Sequence, residues 1–317
     1  MKVLFIMDAL ASLHLEGDTT YAFLLAAERL GWSSYTCQVG HLGLNGQQAL
    51  AQAWPTKAVE AKDPADAFSV GVPSHFPLSD FDAVFLRTDP PVNAEYLQAT
   101  WILEHARDQT VLVNDPRGLR ELNEHLSALR FPEITPKTIV TRDMGQLRQF
   151  LADQNGVMVV KPVDGFGGKG IFIVRQGDPN LSSLLETATD AGRTWTMAQA
   201  FLPDASVGDK RILLADGEYV GAILRIPPPG EARDNLHVGG RAEASELTKK
   251  ERDIVQKLAP TLRQHGILFA GIDVIGEQLT EINITSPTGI RHFDRLTGGD
   301  SAGAVLASVA KRAQARA

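Results

Sequence analysis

The chain has 317 residues, 44% hydrophobic and 22% charged, a length that predicts about two domains, each able to bury its own core. Its 38 acidic against 31 basic residues leave a net charge of −7, which argues against nucleic acid or an anionic membrane as partner. The single cysteine, Cys37, excludes an internal disulfide and a zinc thiolate cluster, and is expected as a buried, inert thiol.

The apolar start Val3–Met7 is broken by Asp8. It is too short for the hydrophobic segment of a signal peptide, and no long apolar stretch follows, so a soluble cytoplasmic protein is expected. Val3–Met7 itself reads as a strand. Asp18 can cap a helix through Leu30 that stops at Gly31, and Tyr35–Val39 is the next strand. Ala83–Leu86 is a strand leading into Arg87-Thr88-Asp89-Pro90-Pro91, a helix follows over Ala94–Arg107, and Val111–Val113 is another buried run. This alternation predicts a small parallel sheet covered by helices, an α/β unit. No glycine fingerprint follows the first strand, so the unit is not a dinucleotide binder. Asp115-Pro116 starts a helix to about Arg130, and the Pro/Thr-rich stretch Phe131–Thr138 crosses into the second half.

There, Val157–Val160 is a buried-type strand ending in Lys161-Pro162. It is followed by Asp164-Gly165-Phe166-Gly167-Gly168-Lys169-Gly170 and a second strand, Ile171–Val174. A Rossmann or Walker loop opens a helix, and Gly170 stands where a Walker loop needs Ser or Thr, so both are disfavoured. A glycine-rich flap over phosphates between two strands fits better. Glycines let backbone N–H groups approach phosphate oxygens, and Lys161 supplies a point charge.

A run of cations follows: Lys210, Arg211, Arg225, Arg233 and Arg241. In an acidic chain this local surplus points to an anionic substrate, because arginine forks bind carboxylate or phosphate. Ile226–Gly240, with three prolines and three glycines, reads as a long connection or a lid over the site.

Phe269–Ile275 and Leu279–Ile284 read as two strands joined by Gly276, Glu277 and Gln278. Pairing symmetric about Glu277 sets Asp273 opposite Glu281, with Asn283 two residues further on the same face. Like charges facing each other across strands are destabilising, so two carboxylates held this way call for a cation. Three hard oxygen donors suit Mg²⁺ or Mn²⁺, completed by substrate phosphates. Together with the glycine loop, the hairpin reads as a metal-dependent nucleotide site.

Assembled, these residues resemble the ATP-grasp superfamily, and within it the bacterial glutathione synthetase family. The resemblance is carried by Met7-Asp8, Arg87-x-Asp89-Pro90-Pro91, Lys161-Pro162 with Asp164-Gly-x-Gly-Gly168, Met197-x-Gln199, Asp209-Lys210-Arg211, Gly239-Gly240-Arg241 and Thr280-Glu281-Ile282-Asn283-x-Thr285-Ser286-Pro287-Thr288. It implies three parts: an N-terminal Rossmann-like α/β domain (1–122), a small ATP-lid domain (123–200) and a large ATP-grasp domain with the metal hairpin (201–317). The implied reaction joins γ-glutamylcysteine to glycine through an acyl phosphate, with ATP and Mg²⁺ or Mn²⁺, in a homo-oligomer. By the same resemblance Asp273, Glu281 and Asn283 hold metal. Lys161, Gly165, Gly167, Gly168, Gln199 and the residue at His125 bind ATP. Arg211, Arg225, Arg233, Arg241, Ser286 and Thr288 hold the dipeptide, the intermediate or the attacking site, with Arg211, Arg233 and Lys161 serving the chemistry.

One position departs from the pattern. The family has a phosphate-binding lysine in Asn-Glu-Lys, and this chain reads Asn123-Glu124-His125. An imidazole is shorter than a lysine and carries no fixed charge. Weaker ATP binding, or another cation in its place, is expected. After Arg291 the resemblance fades. These differences leave two alternatives: an ATP-grasp ligase for a different carboxylate and amine, or a nucleotide-binding protein without turnover.

Overall fold

The computed structural model describes residues 1–228 and 240–316. Its first sheet is mixed. Strands β1 (Lys2–Ile6), β2 (Ser33–Cys37), β3 (Leu42–Asn45), β4 (Gln48–Ala58), β5 (Phe68–Val70), β6 (Ser74–Pro77), β7 (Ala83–Leu86) and β8 (Val111–Val113) build it, with the main path ordered β3-β4-β2-β1-β7-β8. The expected parallel sheet is its β2-β1-β7-β8 half. An antiparallel half, in which β4 pairs with β2, β3, β5 and β6, extends it.

Helix α1 (Thr19–Arg29) starts where expected, because the Asp18 carboxylate accepts the N–H of Tyr21, and it ends before Gly31 at φ 67°. A short α2 (Pro64–Ala67) and α3 (Ala94–Glu104) follow. The helix expected to reach Arg130 stops early. α4 spans Pro116–Glu121, Leu122 is extended, and a 3₁₀ turn covers Leu126–Arg130. The break is local: the Asn123 side-chain oxygen accepts the N–H groups of His125 and Leu126 and offers the backbone an alternative to helix.

A four-stranded antiparallel sheet comes next, β9 (Thr138–Thr141), β10 (Val157–Pro162), β11 (Phe172–Arg175) and β12 (Thr196–Ala200), ordered β11-β10-β12-β9. It packs on α5 (Met144–Asp153) and α6 (Leu181–Thr189) around its own core, which includes Leu147, Met158, Val160 and Leu185. The third sheet is a five-stranded antiparallel one: β13 (Asp209–Ala215), β14 (Glu218–Ile226), β15 (Arg241–Ala244), β16 (Phe269–Ile275) and β17 (Gln278–Asn283), ordered β15-β14-β13-β16-β17. Helices α7 (Lys249–Gln264), α8 (Ile290–Thr297) and α9 (Ser301–Gln314) cover it.

The first and third sheets share their cores. Ile6, Leu112 and Leu119 cluster with Ile212, Leu258 and Ile272, and Phe23 meets Phe269 edge-on at 5.3 Å. Buried Asn114 locks them together. Its amide donates to the carbonyls of Phe269 and Ile284, and its oxygen accepts from Leu268 and Phe269. All four hydrogen bonds of a buried amide are thereby satisfied. The smaller sheet, with a separate core, faces this joint body across a cleft.

Cys37 is 4% exposed, and burial pushes its thiol up to about 12, as expected for an inert core cysteine. Among the described residues, no helix is long and apolar enough to cross a membrane.

Candidate active site

The cleft has a volume of about 400 Å³, within the range of small-molecule sites. Strand geometry decides what faces it. In the smaller sheet Val159 pairs with Ile173 on one side and Gln199 on the other, so the three form a row across β11, β10 and β12. With Phe201 and Leu202 they make an apolar wall. Lys161 lies two residues beyond Val159, on the same face of β10. The glycine loop between β10 and β11 closes one end through Gly165, Gly167 and Gly168. Gly167 and Gly168 take φ of 62° and 74°, and a Cβ on Gly165 would lie 2.8 Å from the Pro162 ring. These backbone shapes exclude larger residues.

The opposite wall is one face of the five-stranded sheet. Asp209 pairs with Arg225, Arg211 with Asp273, and Asp273 with Glu281. Asp273 therefore faces Glu281 as the sequence predicts, though by a different route. The turn has two residues, Gly276 and Glu277, both at positive φ, so Ile275 pairs with Gln278 and Val274 with Leu279. A bulge then adds Thr280 to β17, and its hydroxyl donates to the Asp273 carbonyl at 3.1 Å. The bulge restores the pairing expected from a three-residue loop. Asn283 completes the face, its amide donating to Asp273 at 3.2 Å.

Both carboxylates carry cations. Arg211 grips both oxygens of Asp273 with two nitrogens, and Arg225 approaches one of them, Oδ2, at 3.0 Å. Burial alone would raise the Asp273 carboxyl, and the two guanidiniums outweigh it and hold it below its usual value. Glu281 lies 3.0 Å from the Lys161 ammonium and 3.3 Å from His125 Nε2. Burial is again the largest influence and acts upward, but Lys161 and then His125 hold this carboxyl well below the ordinary range. His125 is 6% exposed, and its Nδ1 lies 2.9 Å from the Pro162 carbonyl. It therefore sits beside Lys161 and the β16–β17 hairpin, where the resemblance puts a cation.

Among the described residues no group of three or more His, Cys, Asp or Glu is placed to hold a metal ion. Two carboxylates and an amide oxygen fit Mg²⁺ or Mn²⁺ only when phosphate oxygens complete the shell, and that is the mode this metal favours. The donor set thus fits a metal brought with a nucleotide.

Ser286 and Thr288 line the cleft; the Ser286 hydroxyl donates to the Arg87 carbonyl, and the Thr288 carbonyl accepts from Arg211. Gln199 lines it as well, donating to Thr138 at 3.1 Å. Arg241 does not join them. It pairs with Ile226 while neighbouring Ala242 pairs with Arg225, so the pleat turns it away from Arg225, and its largely exposed side chain meets Glu243 at 2.9 Å. Arg233 and most of the Ile226–Gly240 segment lie outside the described residues. Asp209 and Glu124 also line the cleft. Both stand in stretches that the resemblance covers, but the pairing of Asp209 with Arg225 is set by sheet register, and in the Asn123-Glu124-His125 stretch attention falls on position 125 rather than on Glu124.

A model of the prokaryotic glutathione synthetase N-terminal domain matches residues 1–120, and one of the ATP-grasp domain of the same enzymes matches 124–298. Glutathione synthetase of Vibrio cholerae is 43% identical over 100% of this chain and 99% of its own length. That of Pseudomonas syringae pv. tomato is 45% identical over 98% and 97%, so the tail beyond Arg291 also aligns. Among solved structures, the D-cycloserine synthetase DcsG superposes with a TM-score of 0.68 at 16% identity, covering 99% of this chain and all of that one. The ATP-grasp ligase PsnB reaches 0.62 at 15%, covering 99% and 98%. At those identities the likeness is one of fold, while the sequence matches run from end to end: the chain belongs to the prokaryotic glutathione synthetase family, ATP-dependent carboxylate–amine ligases of the ATP-grasp fold.

Proposed function

We propose that this chain joins the cysteinyl carboxylate of γ-glutamylcysteine to the amine of glycine in the cleft between the two antiparallel sheets. The observation that carries the reading is the facing pair Asp273 and Glu281, with Asn283 beside them, set across the cleft from the glycine loop and Lys161. In this reading the units 1–122, 123–200 and 201–317 are the N-terminal, ATP-lid and ATP-grasp domains. A cytoplasmic, homo-oligomeric enzyme belongs to the same proposal.

The base of ATP lies against the Val159–Ile173–Gln199 row. Its phosphates meet the N–H groups of the loop at Gly165, Gly167 and Gly168, the Lys161 ammonium and His125. Mg²⁺ or Mn²⁺ held by Asp273, Glu281 and Asn283 supplies charge neutralisation on the phosphates. Arg211 and Arg225, with Arg233, hold the dipeptide carboxylate and the phosphoryl oxygens, and Ser286 and Thr288 donate hydrogen bonds to the substrate. A cysteinyl carboxylate oxygen attacks the γ-phosphorus, and ADP leaves with the electrons of the broken P–O bond. The glycine amine then attacks the acyl carbon, loses its proton and expels phosphate. Positioning and charge neutralisation carry such a reaction, and no covalent nucleophile from the chain is required. The apolar wall and the loop exclude the water that would hydrolyse the acyl phosphate.

The test is isotopic. γ-Glutamylcysteine labelled with ¹⁸O in its cysteinyl carboxylate should deliver one labelled oxygen to inorganic phosphate for each glutathione formed. Unlabelled phosphate, or ADP released without glutathione, contradicts the reading.

A further inference from the structure

Strand β17, which carries Glu281 and Asn283, is the outer strand of its sheet, and an outer strand leaves a row of N–H groups without a ladder partner. Here the irregular segment after α4 supplies the acceptors. The Ile134 carbonyl takes the N–H of Leu279 at 2.8 Å, and the Glu124 carbonyl takes that of Ile282 at 2.9 Å. Beyond Asn283 the acceptor becomes a side chain: Glu124 Oε1 accepts from both Ile284, at 2.7 Å, and Thr285, at 2.8 Å. Main chain and side chain of one residue thus grip the strand on both sides of Asn283. Hydrogen bonds from backbone N–H to a carboxylate are charge-assisted and stronger than neutral ones.

Glu124 is itself anchored from the other side of the cleft. The Asn123 oxygen holds the N–H groups of His125 and Leu126, and its amide donates to Val163, in the chain leading into the glycine loop, at 3.3 Å. The 123–125 turn therefore ties the base of the glycine loop to the exit of the metal hairpin. We propose that Glu124 is a positioning residue, which acts through the N–H groups of Ile284 and Thr285 to hold Asn283 and Ser286 in place for a metal–nucleotide complex. The inference rests on the metal reading above. Glu124 also lines the cleft, which raises a competing role as a direct charge on the metal or the substrate, and two conservative variants separate the roles. Glu124→Gln keeps a carbonyl oxygen at the same reach and removes the charge. Glu124→Asp keeps the charge and withdraws the oxygen by one methylene.

The measurement is calorimetric titration of Mn²⁺ into each protein with ADP present, alongside a thermal melt. Positioning predicts E124Q within about threefold of wild type and E124D weakened about tenfold, the scale on which residues supporting a ligand act. E124Q weakened as much as E124D, or both variants matching wild type, overturns the proposal. A wild-type protein that binds no Mn²⁺ with ADP overturns the metal reading itself, and that result is read without either variant.

Discussion

Lys161 Nζ lies 3.0 Å from Glu281 Oε1, joining the end of β10 in the smaller sheet to β17 in the larger one. The carboxylates facing each other on the hairpin are thus each met by basic side chains of the chain: the Lys161 ammonium and the His125 ring at Glu281, and the Arg211 and Arg225 guanidiniums at Asp273. The repulsion inferred from the sequence is met by protein charge. Glu281→Gln should abolish ADP formation, yet it should not stabilise the fold by relieving repulsion. It leaves the buried Lys161 ammonium beside a neutral amide in place of its carboxylate partner and should cost about 1–3 kcal/mol, read as a lower midpoint in thermal unfolding. Near-normal turnover removes Glu281 from the mechanism, and a raised midpoint contradicts the pairing.

His125 reaches the Glu281 carboxylate and the Pro162 carbonyl, close to the lysine that ends the same strand. His125→Lys should regain one charge-assisted phosphate contact and lower the Michaelis constant for ATP about fivefold, equivalent to about 1 kcal/mol. The turnover number should be spared, since that pattern marks binding gained equally in ground and transition states. Steady-state kinetics in ATP checks it; an unchanged Michaelis constant means position 125 does not serve the phosphates.

Arg211 holds Asp273 bidentately and also donates to the Thr288 carbonyl. Arg211→Lys keeps the charge and loses the fork, so turnover should fall at least about tenfold, because a point charge does not replace planar bidentate recognition. Turnover within twofold of wild type, roughly the noise of such comparisons, shows that charge alone suffices there.

Cys37 offers a test of the core. Burial raises its thiol from 9.0 to about 12, so the native protein at pH 8 should resist a thiol reagent that labels it promptly in denaturant. The sign for stability follows from the neutral form being favoured in the fold. The contribution is complete below pH 9 and is lost as pH rises from 9 towards 12. Prompt labelling of native protein contradicts the packing of β2.

Much of the site is legible in the sequence, because its residues sit on strands whose period of two fixes their faces. Asp273, Glu281 and Asn283 share a face for that reason, although the two-residue turn and the bulge at Thr280 offset each other and neither is apparent from the residues. The break after α4 has a visible cause in Asn123, but helix propensity on either side obscures it. Strand β4, with its alanines, glutamines and an internal proline, has little β propensity and is held by the neighbours it pairs with. The helix α7 does carry a local signal, the capping box of Thr248 and Glu251. Register is equally hidden: a shift between Leu213 and Leu214 lies within the hairpin that brings Asp209 to Arg225, and the pairing of β14 with β15 turns Arg241 away from Arg225.

The central claim is the pairing of one acid with one amine, and ADP release across a matrix of dipeptide acids and amines, with ATP and Mg²⁺, tests it most directly. The account predicts release confined to γ-glutamylcysteine plus glycine, matched one to one by glutathione. Sustained release with a different acid or amine, or none with this pair, would contradict it.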